Sequence, residues 1–129
     1  MKRFFQTYWL SLLAAAAILY LSLATGRGLA KLPPIPLFEN ADKLMHFMMY
    51  MGLSCVITFN QRMSGKALLL TAFTAIAISV AYGGVIELVQ PFFPPRTCDL
   101  LDFIADSAGA IVGFVITDII WIQAHSHIR

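Results

Sequence analysis

The chain alternates long apolar runs with short polar breaks, and four runs stand out, over 8–24, 44–59, 67–89 and 100–121. Each run is close to the ~20 residues that a helix needs to cross a hydrocarbon core of about 30 Å. The runs are longer than the ~10-residue strands of a membrane barrel and lack their alternation. The pattern therefore predicts an all-α membrane protein, in which a bundle of four transmembrane helices forms one domain over 1–129.

The fourth run carries a polar stripe. Asp99, Asp102 and Asp106 lead into Gly109 and Gly113 at alternating spacings of three and four residues. This spacing places all of them on one face of a helix. A carboxylate inside a membrane helix costs about 2.5–3.5 kcal/mol on insertion scales. Several carboxylates in register therefore indicate a site that faces the interior of the bundle.

A further set of polar residues lies at the start of the second run, at the end of the third, or in the turn before the fourth. These residues are Asp42, Lys43, His46, Tyr50, Glu87, Gln90 and Arg96. The short connection between the third and fourth runs requires antiparallel neighbouring helices. The bundle is thus predicted to have a polar cluster near one membrane face.

Composition agrees with a membrane protein, since 59% of the 129 residues are hydrophobic, 12% are charged and mean hydropathy is +0.76. A net charge of +2, scattered along the chain, argues against nucleic acid as a partner. The first run exceeds the 7–15 apolar residues of a signal peptide, which favours an uncleaved anchor. Lys and Arg are slightly more frequent on the side of the termini, so we expect cytoplasmic termini and an outward-facing polar cluster. Cys55 and Cys98 are expected at different depths, too far apart for a disulfide.

Several of these residues also have a structural interpretation. Asp42 and Asp99 fit N-caps of the second and fourth helices. Asp102 and Asp106 fit an interhelical brace, paired with a nearby cation or histidine. Tyr50 fits a packing residue whose hydroxyl bonds across the bundle.

The remaining polar residues leave similar alternatives open. Glu87 fits a partner for Arg96 or Lys43. His46 fits a general base, a proton donor, a metal ligand or a buried imidazole with its hydrogen bonds met. Arg96 fits a clamp for phosphate or carboxylate, or a partner of Asp99.

Three segments in this order, 42–50, 87–90 and 96–102, followed by Gly109 and Gly113, carry a family resemblance. Together they resemble the VanZ-like family of bacterial membrane proteins. The resemblance implies a multi-pass protein of the bacterial cytoplasmic membrane and a link to resistance against teicoplanin, a glycopeptide that binds cell-wall precursors. The chain departs from the family at Asp106, where Asn is usual, which alters the local charge and the number of metal ligands.

One functional hypothesis is an enzyme that acts on a lipid head group or on a lipid-linked cell-envelope precursor. His46, Glu87 and Asp102 are its candidate catalytic residues, with His46 moving the proton. Asp102 and Asp106 are candidate ligands of a divalent cation such as Mg²⁺. The candidate binding residues are Asp42, Lys43, Tyr50, Gln90, Arg96 and Asp99.

Two alternatives use the same residues. A noncatalytic module would bind or shield the precursor at the membrane surface. A small proton-coupled transporter would use the intramembrane acids, although the sequence shows none of the interrupted helices or repeats typical of transporters. Gly83, Gly84, Gly109 and Gly113 predict close helix packing, either within one chain or in a homo-oligomer.

Overall fold

The computed structural model describes residues 2–24, 40–94 and 97–126. These ranges contain helices and no strand, which confirms the all-α prediction. A 3-10 turn, Gln90–Phe92, follows the third helix. The helices are α1 (Lys2–Ala24), α2 (Ala41–Met63), α3 (Leu68–Val89) and α4 (Leu100–Ser126).

Three segments are long and apolar enough to cross a membrane, namely Phe4–Leu23, Leu68–Phe92 and Leu100–Ser126. Helix α2 is more polar, but its 23 residues give it a length of about 34 Å. It contacts the three other helices, and many of its polar side chains are buried. The neighbouring helices therefore shield the polar groups of α2, as a membrane protein requires.

Helices α1, α2 and α4 extend beyond the predicted apolar runs into polar residues, whereas α3 agrees with its run to within one residue. The prediction that Asp42 caps α2 is wrong. Helix α2 begins at Ala41, and Asn40 holds the cap position with φ 69° and without a side-chain cap bond. Asn tolerates this left-handed backbone better than most residues. Asp42 lies in the first turn, where a negative charge complements the helix dipole.

Glycines let α4 lie directly against α2. A Cβ atom at Gly109 would collide with the backbone of Phe47, and one at Gly113 with the backbone of Met51. Here the prediction of close helix approach at glycines is confirmed. The contact turns the acidic stripe of α4 toward α2, and so it positions the site.

The other two predicted glycines play smaller parts. A Cβ atom at Gly83 would lie 2.8 Å from Asp106 Oδ2, so this glycine makes room for a carboxylate rather than for a helix backbone. At Gly84 the nearest atom, from the Phe103 ring, would be at 3.4 Å, an ordinary contact.

The bundle has a mixed interior and an apolar exterior. Tyr50, Leu53 and Ile57 of α2 form a core cluster with residues of α1 and α3. Large apolar side chains face outward, including Leu69 at 83% and Phe73 at 72% exposure. This distribution suits a protein whose outer surface contacts lipid.

Candidate functional site

His46 of α2 lies at the centre of the polar cluster and is 1% exposed. Its Nδ1 is 2.9 Å from Asp106 Oδ1 and 3.8 Å from Glu87 Oε1, while its Nε2 is 3.8 Å from Asp102 Oδ2. An imidazole nitrogen next to an ionised carboxylate carries the proton. The predicted catalytic residues His46, Glu87 and Asp102 are thus neighbours, contributed by three helices.

Lys43 lies about one helical turn from His46, nearer the end of the bundle. Its Nζ is 3.3 Å from Asp99 Oδ2 and 3.5 Å from Asp102 Oδ1. The lysine therefore connects the partly exposed Asp99 with the buried Asp102. This pairing agrees in part with the interpretation of Asp102 as an interhelical brace.

Asp99 begins α4 as predicted. The backbone N–H of Leu101 donates to Asp99 Oδ1 at 2.8 Å, which is an N-cap bond. This bond, together with the hydrogen bond from Lys43, lowers the pKa of Asp99 below its ordinary value. Asp99 is therefore a structural cap as well as a charged member of the cluster.

Glu87 comes from the end of α3 and is 3% exposed. Its Oε2 accepts the backbone N–H of Asp99 at 3.0 Å. With its amide nitrogen turned toward Glu87, Gln90 donates to the two carboxylate oxygens at 3.2 and 3.3 Å. Glu87 thus connects the start of α4 to α3, and its carboxylate holds the Gln90 amide in position.

Tyr50 lies one turn below His46 and is 0% exposed. Among the described residues its hydroxyl has no hydrogen-bond partner, so the interpretation of a hydroxyl bonded across the bundle is wrong. The same holds for Asp106 Oδ2, although Asp106 is also 0% exposed. The deepest part of the cluster therefore has polar atoms that other described residues do not satisfy.

Two overlapping sets of side chains have donor atoms within 4.8 Å of one another: His46 with Asp42 and Asp102, and His46 with Glu87 and Asp106. Asp102 and Asp106, the predicted metal pair, fall in different sets, and His46 belongs to both. The donors are carboxylate oxygens and an imidazole nitrogen, and these suit a divalent cation. The residues present therefore fit a metal ion, with His46 as an additional ligand.

The remaining predicted residue, Arg96, lies outside the described residues. Among those described, the network around Lys43 and His46 contains the carboxylates of Glu87, Asp99, Asp102 and Asp106. Carboxylates thus outnumber the basic groups that contact them. Such a surplus differs from a brace made of matched pairs.

A groove beside the cluster was not predicted from the sequence. It has a volume of about 320 Å³ and runs between α3 and α4. No sequence pattern indicates it, because its apolar walls are made by ordinary helix residues such as Leu88, Leu100 and Phe103. It is lined by Gly84, Glu87, Leu88, Cys98, Asp99, Leu100 and Phe103.

The opposite end of the bundle has a simpler arrangement. Arg62 Nε lies 3.2 Å from Asp118 Oδ1, and the guanidinium carbon lies 5.9 Å from the centre of the Trp121 ring. Cys55 and Cys98 are both free thiols, which confirms the prediction that they form no disulfide with each other.

By its fold and its cluster, the chain is a multi-helix membrane protein with an acidic, histidine-containing cluster at one end of the bundle. A family model described as VanZ/LLP1 matches residues 2–121, nearly the whole chain. The chain therefore belongs to the VanZ/LLP1 family, and the predicted resemblance is confirmed. No curated protein and no solved structure matches the chain.

Proposed function

We propose that the acidic cluster binds the head group of a membrane lipid or of a lipid-linked cell-envelope precursor, and that it modifies this group with the help of a divalent cation. The observation that carries the proposal is the surplus of carboxylates over basic groups around His46 and Lys43 within the described part of the chain. Buried carboxylates need protons, cations or hydrogen bonds to offset the loss of hydration.

A divalent cation would offset the lost hydration of these carboxylates by binding to their oxygens. Asp106 Oδ2 is buried without a hydrogen-bond partner among the described residues, and Asp102 Oδ1 is paired there only with the Lys43 ammonium at 3.5 Å. Asp106 adds a negative charge where the family resemblance leads us to expect Asn. When bound, a divalent cation would supply charge neutralisation and a contact for phosphate oxygens.

A phosphate-bearing head group would bind to the divalent cation and to the basic groups at the edge of the cluster. Lys43 presents an ammonium group 3.3 Å from Asp99 and 3.5 Å from Asp102, at the partly exposed edge of the cluster. Ammonium groups bind phosphate as compact charges. We place Arg96 in the same role, because it stands close to Asp99 in the chain.

The groove between α3 and α4 supports a lipid as the bearer of this head group. Glu87 and Asp99 line the groove on the side of the cluster, and Leu88, Leu100 and Phe103 give it apolar walls. A volume of about 320 Å³ accommodates part of an acyl or prenyl chain. An amphiphile could therefore place its polar end in the cluster and its chain in the groove.

His46 is the residue best placed to move a proton. Asp106, 2.9 Å from Nδ1, orients the imidazole and favours the proton on that nitrogen. The other nitrogen, Nε2, faces Asp102 at 3.8 Å and remains able to accept a proton. Glu87 lies 3.8 Å from Nδ1 and provides a second acid or base.

Native mass spectrometry of the protein in lipid nanodiscs, with and without Mg²⁺, tests the proposal. We expect the wild type to retain a lipid and a divalent cation, and Asp102→Asn to lose both. Asp118→Asn is the matched control, because it makes the same chemical change at the opposite end of the bundle. Equal lipid retention in all proteins would contradict the proposal.

A second variant separates modification from binding. His46→Gln keeps a polar side chain of similar length, and we expect it to retain the lipid in unmodified form. The mass of that lipid, compared with the mass found on the wild type, would give the group transferred or removed. Identical masses would instead favour the noncatalytic binding module.

We further propose that the cluster faces outward in the bacterial cytoplasmic membrane, where a changed precursor would affect teicoplanin. Cys98 provides a native reporter, because it is exposed and lines the groove, whereas Cys55 is half-buried and its Sγ lies 3.4 Å from the carbonyl oxygen of Gly113. A membrane-impermeant maleimide should label Cys98 in intact spheroplasts, and Cys98→Ser should abolish the labelling. Labelling only after lysis would reverse the proposed orientation.

A further inference from the structure

The interior of the bundle carries a second set of polar groups, which begins with Tyr50 at the deep end of the acidic cluster and continues away from it. They are hydroxyls without a hydrogen-bond partner among the described residues. Each of these side chains is 0% exposed. The set comprises Tyr50, Ser54, Thr58, Thr71 and Ser79.

Half-buried hydroxyls elsewhere in the bundle behave differently. Thr74, Ser107 and Thr117 each donate to the backbone carbonyl one turn earlier, at 2.6, 2.9 and 2.8 Å. This local bond is the common way for Ser and Thr to satisfy their donor within a helix. The interior hydroxyls make no such bond, so their donors and acceptors are available to another partner. Inside proteins, buried water molecules commonly form hydrogen bonds with such polar groups.

The hydroxyls on α2 form a column. Tyr50, Ser54 and Thr58 follow His46 at intervals of four residues, which places their Cα atoms on one slowly turning face and about 6 Å apart along the axis. Two hydrogen bonds between oxygens, of about 2.8 Å each, span nearly this distance. One water molecule would therefore join the short side chains of Ser54 and Thr58, and water beside the Tyr50 hydroxyl would continue the path toward His46.

Helix α3 adds hydroxyls at matching depths. Glu87 contacts His46 near one end of the helix pair, and the Thr74 hydroxyl oxygen lies 2.7 Å from Gln61 Oε1 near the other. These contacts fix the antiparallel register, which brings Ser79 level with Ser54. By the same register Thr71 comes level with Arg62.

We propose that this hydroxyl column, with water between its members, conducts protons between the acidic cluster and the Arg62–Asp118 pair at the opposite end. At each step an oxygen accepts one proton and releases another to the next oxygen. One O–H bond therefore forms as another breaks, and the transfer needs no oxidant, reductant or leaving group. The proposal goes beyond the head-group function and does not depend on what the cluster binds.

Proton flux into liposomes that contain the full-length protein tests this path. A potassium gradient with valinomycin drives the flux, and an internal pH-sensitive dye reports it. Thr58→Val replaces one column hydroxyl by a methyl group of similar size. Thr117→Val is the matched control, because the Thr117 hydroxyl bonds to its own helix. We expect Thr58→Val to reduce the protein-dependent flux about tenfold and Thr117→Val to leave it unchanged.

Thermal unfolding of the same variants gives an independent measurement. In a dry interior, Thr58→Val would remove an unsatisfied hydroxyl and raise the unfolding temperature. In a hydrated column it would break contacts with water and lower that temperature, which is the result we expect. Ser79→Ala repeats both measurements on α3.

Wild-type flux equal to that of protein-free liposomes would overturn the proposal, and so would full flux in both Thr58→Val and Ser79→Ala. A raised unfolding temperature in both variants would also overturn it. The assay contains no head-group ligand, so its failure would leave the lipid retention measured by mass spectrometry untouched.

Discussion

The two ends of the bundle hold their charges in different ways. At one end, Arg62 and Asp118 form an ion pair, with Nε and Oδ1 3.2 Å apart, and the guanidinium lies over the Trp121 ring. At the other end, several carboxylates surround His46 and Lys43. Among the described residues, Arg62 and Asp118 match each other in charge, whereas the acidic cluster contains more acids than bases.

This difference separates a structural role from a binding role. A brace between helices works best with matched charges, because each unpaired buried charge costs free energy. The Arg62–Asp118 pair meets this requirement and is well explained as a brace. The acidic cluster does not meet it, and an excess of one charge is typical of sites that await a ligand of the opposite sign.

The largest effect is expected where both ends are disrupted together. Gly113→Val would drive the side chain into the backbone of Met51 and separate α4 from α2. We expect a loss of more than about 3 kcal/mol in the free energy of unfolding, because the helix backbone cannot give way as a side chain does. Unfolding in mixed detergent micelles, followed by Trp fluorescence, measures this change.

Gly52→Ala is the control for that experiment, because a Cβ atom there meets nothing within 4 Å. Alanine in the middle of a helix should raise stability by about 0.5–1 kcal/mol over glycine. A similar loss in both variants would show that α2 and α4 do not depend on the glycine contact.

A single Asp→Asn change at each end sharpens the comparison further. Asp118→Asn leaves Arg62 without its charge partner, and we expect a loss of about 1–3 kcal/mol in the free energy of unfolding. Asp102→Asn removes one of several neighbouring acids, so its stability should stay within about 0.5 kcal/mol of wild type or increase. The same micelle titration measures both variants, and an equal loss in both would make the acidic cluster a brace as well.

The sequence predicts the helices and the members of the cluster well, because both depend on local spacing. Apolar runs locate α1, α3 and α4, and the spacing of Asp99, Asp102 and Asp106 predicts the stripe on α4. The glycine positions also predict the approach of α4 to α2. The spacing of residues along each helix therefore predicts most members of the acidic cluster.

Contacts between helices are harder to predict from spacing alone. The sequence places His46 near Asp42, but only packing shows that its nearest acid is Asp106 at 2.9 Å. The sequence predicts Asp42 as the cap of α2, whereas the structure has Asn40 there. The apolar pattern cannot separate the two, because it is the same for a helix that starts two residues earlier. The unpartnered hydroxyl of Tyr50 likewise depends on which side chains lie across the bundle.

The smallest effect is expected at Asp99, whose charge lies at the exposed edge of the acidic cluster. Its pKa is lowered by the Leu101 N–H and by Lys43, so its ionised form favours folding. This contribution is present above the ordinary pKa of about 4 and is lost as the pH falls through the lower pKa of the folded protein. Wild type should therefore lose its small stability advantage over Asp99→Asn below about pH 4.

Asp99→Asn isolates the charge, since Asn caps a helix about as well as Asp. At pH 7 we expect its unfolding temperature to be only a few degrees below that of wild type, because the Lys43 and Asp99 side chains are 28% and 38% exposed and their attraction is screened. When Lys43→Met removes the cation, the further change Asp99→Asn should no longer lower the unfolding temperature at pH 7. If Asp99→Asn instead loses as much stability as Asp118→Asn, the edge of the acidic cluster is held by a matched pair, and the contrast between the two ends applies only to the buried acids around His46.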